Sequence, residues 1–298
     1  MATTSPEVAA ATDVAEAPSR TTDSAADHRP ILADAHPAEG LGNDAVVYSP
    51  AYAATGKALY FQREKGRGTA LVRADTDAAG RVLRTTQVVD DGADNFHVRP
   101  SPDEQSIAFD SDRDGTRGVY VADVNGQGAR RVSGPGYAAV PSWSPDGRSL
   151  VFARAEPSQP RVWNLWHLTL ASGQLRQLTS YRVGQPWGAS WFPDGRRVAY
   201  SHETALVVLD LETGRRQVYP SPRAARLVRT PAVSPSGGEI LFQVFRDGVW
   251  LLNMSSGGMH RVLDDPSAEE YAWSPDGLRV AYHSRRSGRW GLWLASVP

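Results

Sequence analysis

The sequence contains no cysteine and only 3 methionines among its 298 residues. Disulfides, thiolate zinc sites and cysteine nucleophiles are therefore excluded. A chain without cysteine suits a reducing cytoplasm and an oxidising periplasm equally. Long apolar runs are also missing: the longest are strand-sized, such as residues 205–209, whereas a membrane helix needs about 20 residues. We expect no membrane-spanning helix.

An excess of basic residues is likewise absent. The chain has 32 Lys and Arg against 33 Asp and Glu, a formal net charge of −1. Nucleic-acid binding needs Lys and Arg clustered on one face to neutralise phosphates, and no dense basic stripe is present. We therefore expect no nucleic-acid partner.

The N-terminal part differs from the rest in composition. Residues 1–28 consist mainly of Ala, Thr, Ser, Pro and acids, without an aromatic side chain. Such a segment cannot bury enough apolar surface to offset the entropy of ordering, so we predict a disordered acidic tail. It has neither a basic n-region nor an apolar h-region, so we do not expect it to be a signal peptide. Residues 29–298, rich in short Val, Leu, Tyr and Trp runs between turn residues, predict a single all-β domain.

Internal repeats define the architecture of this domain. A Ser-Pro-Asp-Gly-like turn recurs, with an aromatic residue seven positions after its proline. Successive copies are 40 to 48 residues apart, the length of a four-stranded propeller blade. The six anchor positions, the first of them degenerate, are Ala54, Pro102, Pro145, Pro193, Pro235 and Pro275. The sequence therefore predicts a six-bladed β-propeller with four-stranded blades.

The last copy is one strand short. Its third strand is predicted at residues 292–295, and the chain ends at Pro298. A propeller ring needs a fourth strand there to close. We predict that residues 30–36, a short apolar segment near the N-terminus, form the outermost strand of blade six, antiparallel to residues 292–295.

The repeats resemble those of the TolB family, also called PD40 or WD40-like β-propeller repeats. The resemblance rests on Trp143-Ser144-Pro145-Asp146-Gly147, on Trp273-Ser274-Pro275-Asp276-Gly277, on the variant Trp191-Phe192-Pro193-Asp194-Gly195, and on the blade segment at 171–179. It covers about residues 45–298 and implies a bacterial periplasmic scaffold whose propeller face binds a peptidoglycan-associated lipoprotein. This sequence lacks the α/β domain that precedes such propellers, which argues against that particular partner. It also lacks the G-x-S-x-G elbow of propeller peptidases, so we expect no peptidase activity.

The mouth of the central channel is the default binding site of a propeller, because loops before the first strand and between the second and third strands of every blade meet there. Its arginines suit a carboxylate-bearing or peptide ligand, since a guanidinium can donate two hydrogen bonds to one carboxylate. Asn43 and Asp44 are placed there by the alignment. The candidate ligand-binding residues are His97, Arg99, Arg182, Trp187, Arg229, Arg246, Glu270 and His283.

A metal site is an alternative use of the same mouth. His97, His202 and His283 come from blades two, four and six and could bind a divalent metal, as in propeller lyases that cleave uronate polymers. However, His202 and His283 lie at different strand parity and could point apart. Asp110, Asp112 and Asp114 mimic half of a calcium loop, but Val121 stands where its bidentate Glu would be. We favour a hairpin turn stabilised by Asx contacts there.

These observations favour a non-catalytic, monomeric binding platform for a protein or peptide, with no cofactor and with no catalytic residue assigned. The alternative is a metal-dependent polysaccharide lyase or hydrolase that uses the mouth histidines. The family resemblance favours the periplasm, although the cytoplasm stays open.

Overall fold

The computed structural model describes residues 14–16, 32–41 and 46–297, and every element named in them is a β strand. Within these ranges, no helix is long and apolar enough to cross a membrane. Asn43 and Asp44, predicted to lie at the channel mouth, are outside the described residues.

Six blades account for almost all the strands. In blades one to five the antiparallel strands A to D follow one another in the chain, whereas blade six takes its strand D from the N-terminal part. Blade one contains β3 (Val47–Tyr52), β4 (Ala58–Glu64), β5 (Thr69–Thr76) and β6 (Val82–Val89). Blade two contains β7 (Asn95–Pro100), β8 (Ser106–Ser111), β9 (Gly118–Asp123) and β10 (Arg130–Arg131). Blade three contains β11 (Tyr137–Trp143), β12 (Ser149–Ala155), β13 (Trp163–Thr169) and β14 (Gln174–Gln177).

The second half of the ring repeats the pattern. Blade four contains β15 (Pro186–Trp191), β16 (Arg197–His202), β17 (Ala205–Asp210) and β18 (Arg216–Pro220). Blade five contains β19 (Val228–Val233), β20 (Glu239–Val244), β21 (Gly248–Asn253) and β22 (Met259–Leu263). Blade six contains β23 (Glu269–Trp273), β24 (Arg279–Ser284) and β25 (Gly291–Ser296), and its fourth strand is β2 (Ala33–Pro37).

The N-terminal strand closes the ring as the sequence predicts. β2 runs antiparallel to β25, with Ala33 opposite Ser296 and Pro37 opposite Trp293. The segment also joins the neighbouring blades, because the Leu32 amide donates to Val262 of blade five at 3.4 Å and the Val82 amide of blade one donates to Glu39 at 3.2 Å. The innermost strands contact one another all the way round, including β23 with β3. The all-β, six-bladed prediction is therefore confirmed.

The turns between strands A and B follow the chemistry expected of them. Gly147, Gly195 and Gly277 have φ between 67° and 74°, in the left-handed region that glycine enters without a Cβ penalty. In the Pro102 copy, Glu104 takes this position with φ 56°. This turn geometry, shared by these copies, brings strand B back alongside strand A in the same way in each of their blades.

Tryptophans two residues before the anchors tie blades three, four and six to the blades that precede them. The indole N–H of Trp143 donates to the Arg99 carbonyl at 2.9 Å, and that of Trp273 donates to the Ala232 carbonyl at 3.0 Å. Trp191 makes the equivalent bond to Ser142 at 3.2 Å. These side chains therefore belong to the contacts between blades, as their flat shape and single donor suggest.

One short strand lies in the predicted tail. β1 (Val14–Glu16) pairs in parallel with Arg216–Val218 and makes blade four five-stranded. The rest of residues 1–28 lies outside the described residues, and its disorder stays a prediction.

Candidate functional site at the channel mouth

A β-bulge at the same position of every strand A shapes the channel. In each blade two residues of strand A face one residue of strand B, and the register shifts there. The first residue of each bulge lies five positions before the anchor and has φ between 45° and 65°. These six residues, the bulge ring, are Ser49, His97, Val140, Gly188, Thr230 and Glu270. Five of them are not glycine, although such φ values are uncommon for other residues.

Polar side chains on strand B hold several of the bulges. In blades one, two and six, the residue of strand B that lies eight positions after the anchor is buried and polar. It accepts a hydrogen bond from the backbone N–H of the first bulge residue in the next blade. Gln62 accepts from His97 N at 3.0 Å, Asp110 from Val140 N at 3.0 Å, and His283 from Ser49 N at 3.1 Å. A buried N–H without an acceptor would cost about 1–3 kcal/mol, so these contacts help to fix the ring.

His97 is the centre of a buried charged cluster. Its Nδ1 lies 2.9 Å from Asp110 Oδ1, and its Nε2 lies 3.0 Å from Glu270 Oε1. Glu270 Oε2 accepts from the Ser49 hydroxyl and also lies 3.8 Å from His283 Nδ1. Arg117 donates to Asp110 from the opposite side at 2.5 Å. We call Ser49, His97, Asp110, Arg117, Glu270 and His283 the axial cluster; it joins blades six, one and two across the channel.

The two histidines of the axial cluster titrate in opposite directions. Burial disfavours charged His97, but the carboxylates of Asp110 and Glu270 outweigh it and raise the pKa to about 9. Burial also dominates at His283, where it lowers the pKa to about 4 despite Glu270. The Glu270 pKa is well below its usual range, because the His97 charge and hydrogen bond outweigh burial. At neutral pH, His97 is therefore an imidazolium and His283 a neutral imidazole.

Trp187 covers this cluster from the far side of the channel. Its ring approaches the His97 ring edge-on, with centroids 6.2 Å apart. Below it, an axial cavity of about 240 Å³ is lined by residues that include Arg99, Thr230, Glu270 and Trp273. Trp187 also lines this cavity, so the cavity adjoins the axial cluster.

Arginines surround an aromatic ring at the blade-five side of the mouth. The guanidinium of Arg229 lies 4.3 Å from the centroid of Phe245, and that of Arg246 lies 5.2 Å from it. Arg226 donates to the Phe245 carbonyl at 3.3 Å. Within the described residues, no carboxylate oxygen lies within 4.0 Å of Arg229 or Arg246. Glu269 acts electrostatically on Arg229 from beyond this distance, and the N–H groups of both guanidiniums are thus available to a ligand.

The fold and this geometry can be compared with known proteins. A family model described as PD40, TolB beta propeller domain, matches residues 42–206, more than half of the chain. This chain belongs to the TolB β-propeller family. The TolB-like resemblance of the repeats is therefore confirmed.

Curated relatives of this TolB-family propeller share only part of their length with it. The Tol-Pal system protein TolB of Francisella tularensis is 32% identical over 81 residues, which cover 25% of this chain and 18% of that protein. The uncharacterized peptidase YuxL of Bacillus subtilis is 28% identical over 152 residues, which cover 48% of this chain and 21% of that protein. The chain spans about a fifth of each of these relatives.

Solved structures similar to this TolB-family propeller support the fold alone, because their identities are low. A putative TolB from Agrobacterium tumefaciens has a TM-score of 0.65 at 21% identity, covering 85% of this chain and 91% of that one. A gluconolactonase of Xanthomonas campestris has a TM-score of 0.65 at 16% identity, covering 90% and 91%. An oligogalacturonate lyase in complex with manganese has a TM-score of 0.59 at 15% identity, covering 89% and 96%.

The structure of this TolB-family propeller brings five of the eight candidate ligand-binding residues together. His97, Arg99, Trp187, Glu270 and His283 converge on the channel axis. Arg229 and Arg246 lie beside them at the mouth of blade five. Arg182 lies apart, in a groove of about 530 Å³ lined by Arg154, Trp166 and Tyr181.

The candidate metal ligands do not gather at one point. His202 stacks on Tyr181, with ring centroids 3.6 Å apart, while His97 and His283 face the channel. Asp110 faces His97, Asp112 accepts from Asp94 N at 2.9 Å, and Asp114 accepts from the Tyr120 hydroxyl at 2.5 Å. Among the described residues, no group of three or more His, Asp or Glu is arranged to hold a metal ion.

Three residues of the axial cluster were missing from the sequence-based ligand set: Ser49, Arg117 and, as a partner of His97, Asp110. The repeat alignment held the signal for two of them. Ser49 aligns with His97 and Glu270, and Asp110 aligns with His283 and Gln62 as a polar residue in an apolar strand. Arg117 has no such repeat counterpart and is found only from the structure.

Proposed function

We propose that this propeller is a non-catalytic binding platform that recognises a protein or peptide through carboxylates at the channel mouth. The observation that carries this is the pair Arg229 and Arg246, both stacked on Phe245 without a carboxylate within 4.0 Å in the described part of the chain. A guanidinium held flat against an aromatic ring keeps its N–H edge free, and that edge fits a carboxylate with two hydrogen bonds.

The axial cluster supports binding over catalysis. Both ring nitrogens of His97 are already engaged, one by Asp110 and one by Glu270. An imidazolium with both N–H groups donated has no lone pair to act as a base or a metal ligand. We therefore assign His97 a structural role in which its charge holds Glu270 and Asp110 in place.

Membership of the TolB family supports a platform in the bacterial periplasm, the setting of the Tol-Pal protein it resembles. We propose a monomer without a cofactor. The ligand would contact Arg229 and Arg246 at the mouth, and Trp187 stands between the mouth and the axial cavity that it lines.

The test is capture of a partner from an extract of the native organism, followed by binding of synthetic peptides that tile the captured protein. The variant Arg229→Ala/Arg246→Ala should weaken binding of the active peptide at least tenfold, which corresponds to about 1.4 kcal/mol. The matched control is Arg148→Ala/Arg215→Ala, which removes two exposed arginines from turns at the opposite face.

Two results would contradict the proposal. Equal binding by the mouth variant and the wild type would show that the arginines do not contact the ligand. An equal loss in the control would show that net charge alone governs binding.

A second candidate is a metal-dependent lyase or hydrolase, because one similar solved structure is an oligogalacturonate lyase in complex with manganese. His283, a neutral imidazole, lies 3.8 Å from Glu270 in this chain, and this pair offers a metal two ligands. A manganese titration separates the two functions: saturable binding that is lost in His283→Gln would favour the enzyme.

A further inference from the structure

The axial cavity lies behind the axial cluster and has walls unlike those of the mouth. Two residues past the bulge, each strand A contributes one side chain to the channel, and five of the six are small. The six are Ala51, Arg99, Ser142, Ser190, Ala232 and Ala272. Arg99 is thus the one long cationic side chain in a ring of methyl and hydroxyl groups.

The guanidinium of Arg99 has far more donors than partners. Arginine carries five N–H donors. Within the described residues, the Arg99 guanidinium makes one hydrogen bond, to the Val98 carbonyl at 2.9 Å, and has no carboxylate oxygen within 4.0 Å. Unpaired N–H donors on a half-buried cation raise the free energy of the folded state. A hydrogen-bond acceptor in the cavity would therefore stabilise the Arg99 guanidinium.

The surrounding charges leave a positive balance. Around the axis stand the cations Arg99, Arg117 and His97 against the carboxylates Asp110 and Glu270. Both carboxylates also act electrostatically on Arg99, but the hydrogen bonds of Asp110 and Glu270 go to His97 and Arg117 and not to Arg99. One negative charge near Arg99 would balance the site.

The remaining walls select for a short acid. Pro50, Pro141 and Pro231 line the cavity and have no backbone N–H. Arg99 is the one cationic donor among the lining residues, and the other side-chain donors are neutral hydroxyl and indole groups. About 240 Å³ is below the range of about 300–1,000 Å³ that holds drug-sized ligands. The alanine methyl groups suit a small aliphatic tail.

We propose that the axial cavity binds one small monocarboxylate, held by Arg99, on the side of the axial cluster away from the mouth. The carboxylate can belong to a free short acid or to a chain terminus. This site shares Trp187 with the mouth site of the proposed function, but it uses neither Arg229 nor Arg246.

The probe is trifluoroacetate, followed by ¹⁹F line broadening on the full chain. The wild type should give saturable broadening, and Arg99→Met should weaken binding at least tenfold. The matched control Arg148→Met, which alters an exposed arginine in a turn on the opposite face, should leave binding unchanged. Ser142→Leu keeps Arg99 but fills the cavity, and it should also abolish broadening.

Competition identifies the source of the carboxylate. Displacement by propionate assigns a free acid, and displacement only by N-acetylglycylglycine assigns a chain terminus. Absence of saturable broadening in the wild type, displacement by neither acid, or wild-type affinity in Arg99→Met overturns the proposal. If Arg99→Met does not fold, wild-type affinity in Ser142→Leu does the same. Arg229→Ala/Arg246→Ala should bind the probe normally, so failure of the mouth proposal is separable.

Discussion

His97 should make the stability of the propeller depend on pH between about 6.5 and 9. In the folded chain its pKa is about 9, and in the unfolded chain it returns to about 6.5. Between these values the folded state binds one proton more than the unfolded state. The free energy of unfolding therefore falls as pH rises through this window, and the contribution of His97 is fully present below it.

The size of the effect follows from the linkage. Each pH unit across the window is worth about 1.4 kcal/mol per proton, so the full loss is about 3 kcal/mol. His97 is 7% exposed and lies between Asp110 and Glu270, so solvent screening reduces this little. Arg99 and Arg117 also face it and stay charged throughout. His283, with a pKa of about 4, destabilises the fold as pH falls below about 6.5. Stability should therefore peak near pH 6.5.

The assay is urea unfolding at constant ionic strength from pH 5 to pH 9.5. Glu270→Gln is the informative variant, because it removes one of the two carboxylates on His97 and should flatten the alkaline slope. It should also lower stability by about 3–5 kcal/mol at pH 6.5, the usual cost of breaking a buried ion pair. A wild-type free energy of unfolding that is constant from pH 6.5 to 9 would refute the reasoning. Deprotonation of an imidazolium held by two carboxylates must lower that free energy.

Two further predictions concern the fold. Removal of residues 1–27 should leave the melting temperature nearly unchanged. Removal of residues 1–38 should lower the free energy of unfolding by several kcal/mol, because it deletes β2 and the buried Leu32. Equal melting temperatures for the two truncations would mean that β2 does not hold the ring closed. Trp273→Phe should lower the free energy of urea unfolding by about 1 kcal/mol, since it removes the indole N–H bond to the Ala232 carbonyl and keeps an aromatic ring. An unchanged free energy of unfolding would mean that this bond does not tie blades five and six.

The blade pattern was predictable from the sequence because it rests on local chemistry. The spacing of Pro145, Pro193 and Pro275, each followed by Asp-Gly, fixes a hairpin turn in every copy without reference to the rest of the chain. The closing strand was predictable for a different reason. Blade six lacked a fourth strand and one apolar segment was left over, so pairing between the chain ends followed by elimination.

The axial cluster could not be predicted in the same way. His97 and Glu270 stand 173 positions apart, and their contact depends on the left-handed bulge that turns both side chains inward. Glycine would have marked such a bulge, but it occupies the position only at Gly188. The backbone propensities of the residues at these positions therefore do not indicate the left-handed bulge. Comparing equivalent positions between the copies would have done better than reading each loop by itself.

The bulge ring also shows which features belong to the fold and which to this chain. Val140 and Thr230 take the same left-handed backbone as His97, yet Val140 has no polar side chain and the Thr230 hydroxyl is buried without a partner in the described structure. Each such residue costs about 1–3 kcal/mol. Since the conformation persists without side-chain hydrogen bonds, the propeller backbone imposes it. The bulge ring therefore has six positions whose side chains face the channel, whatever residues occupy them. The backbone conformation does not require His97 and Glu270 at two of these positions, so their presence reflects the chemistry of this channel.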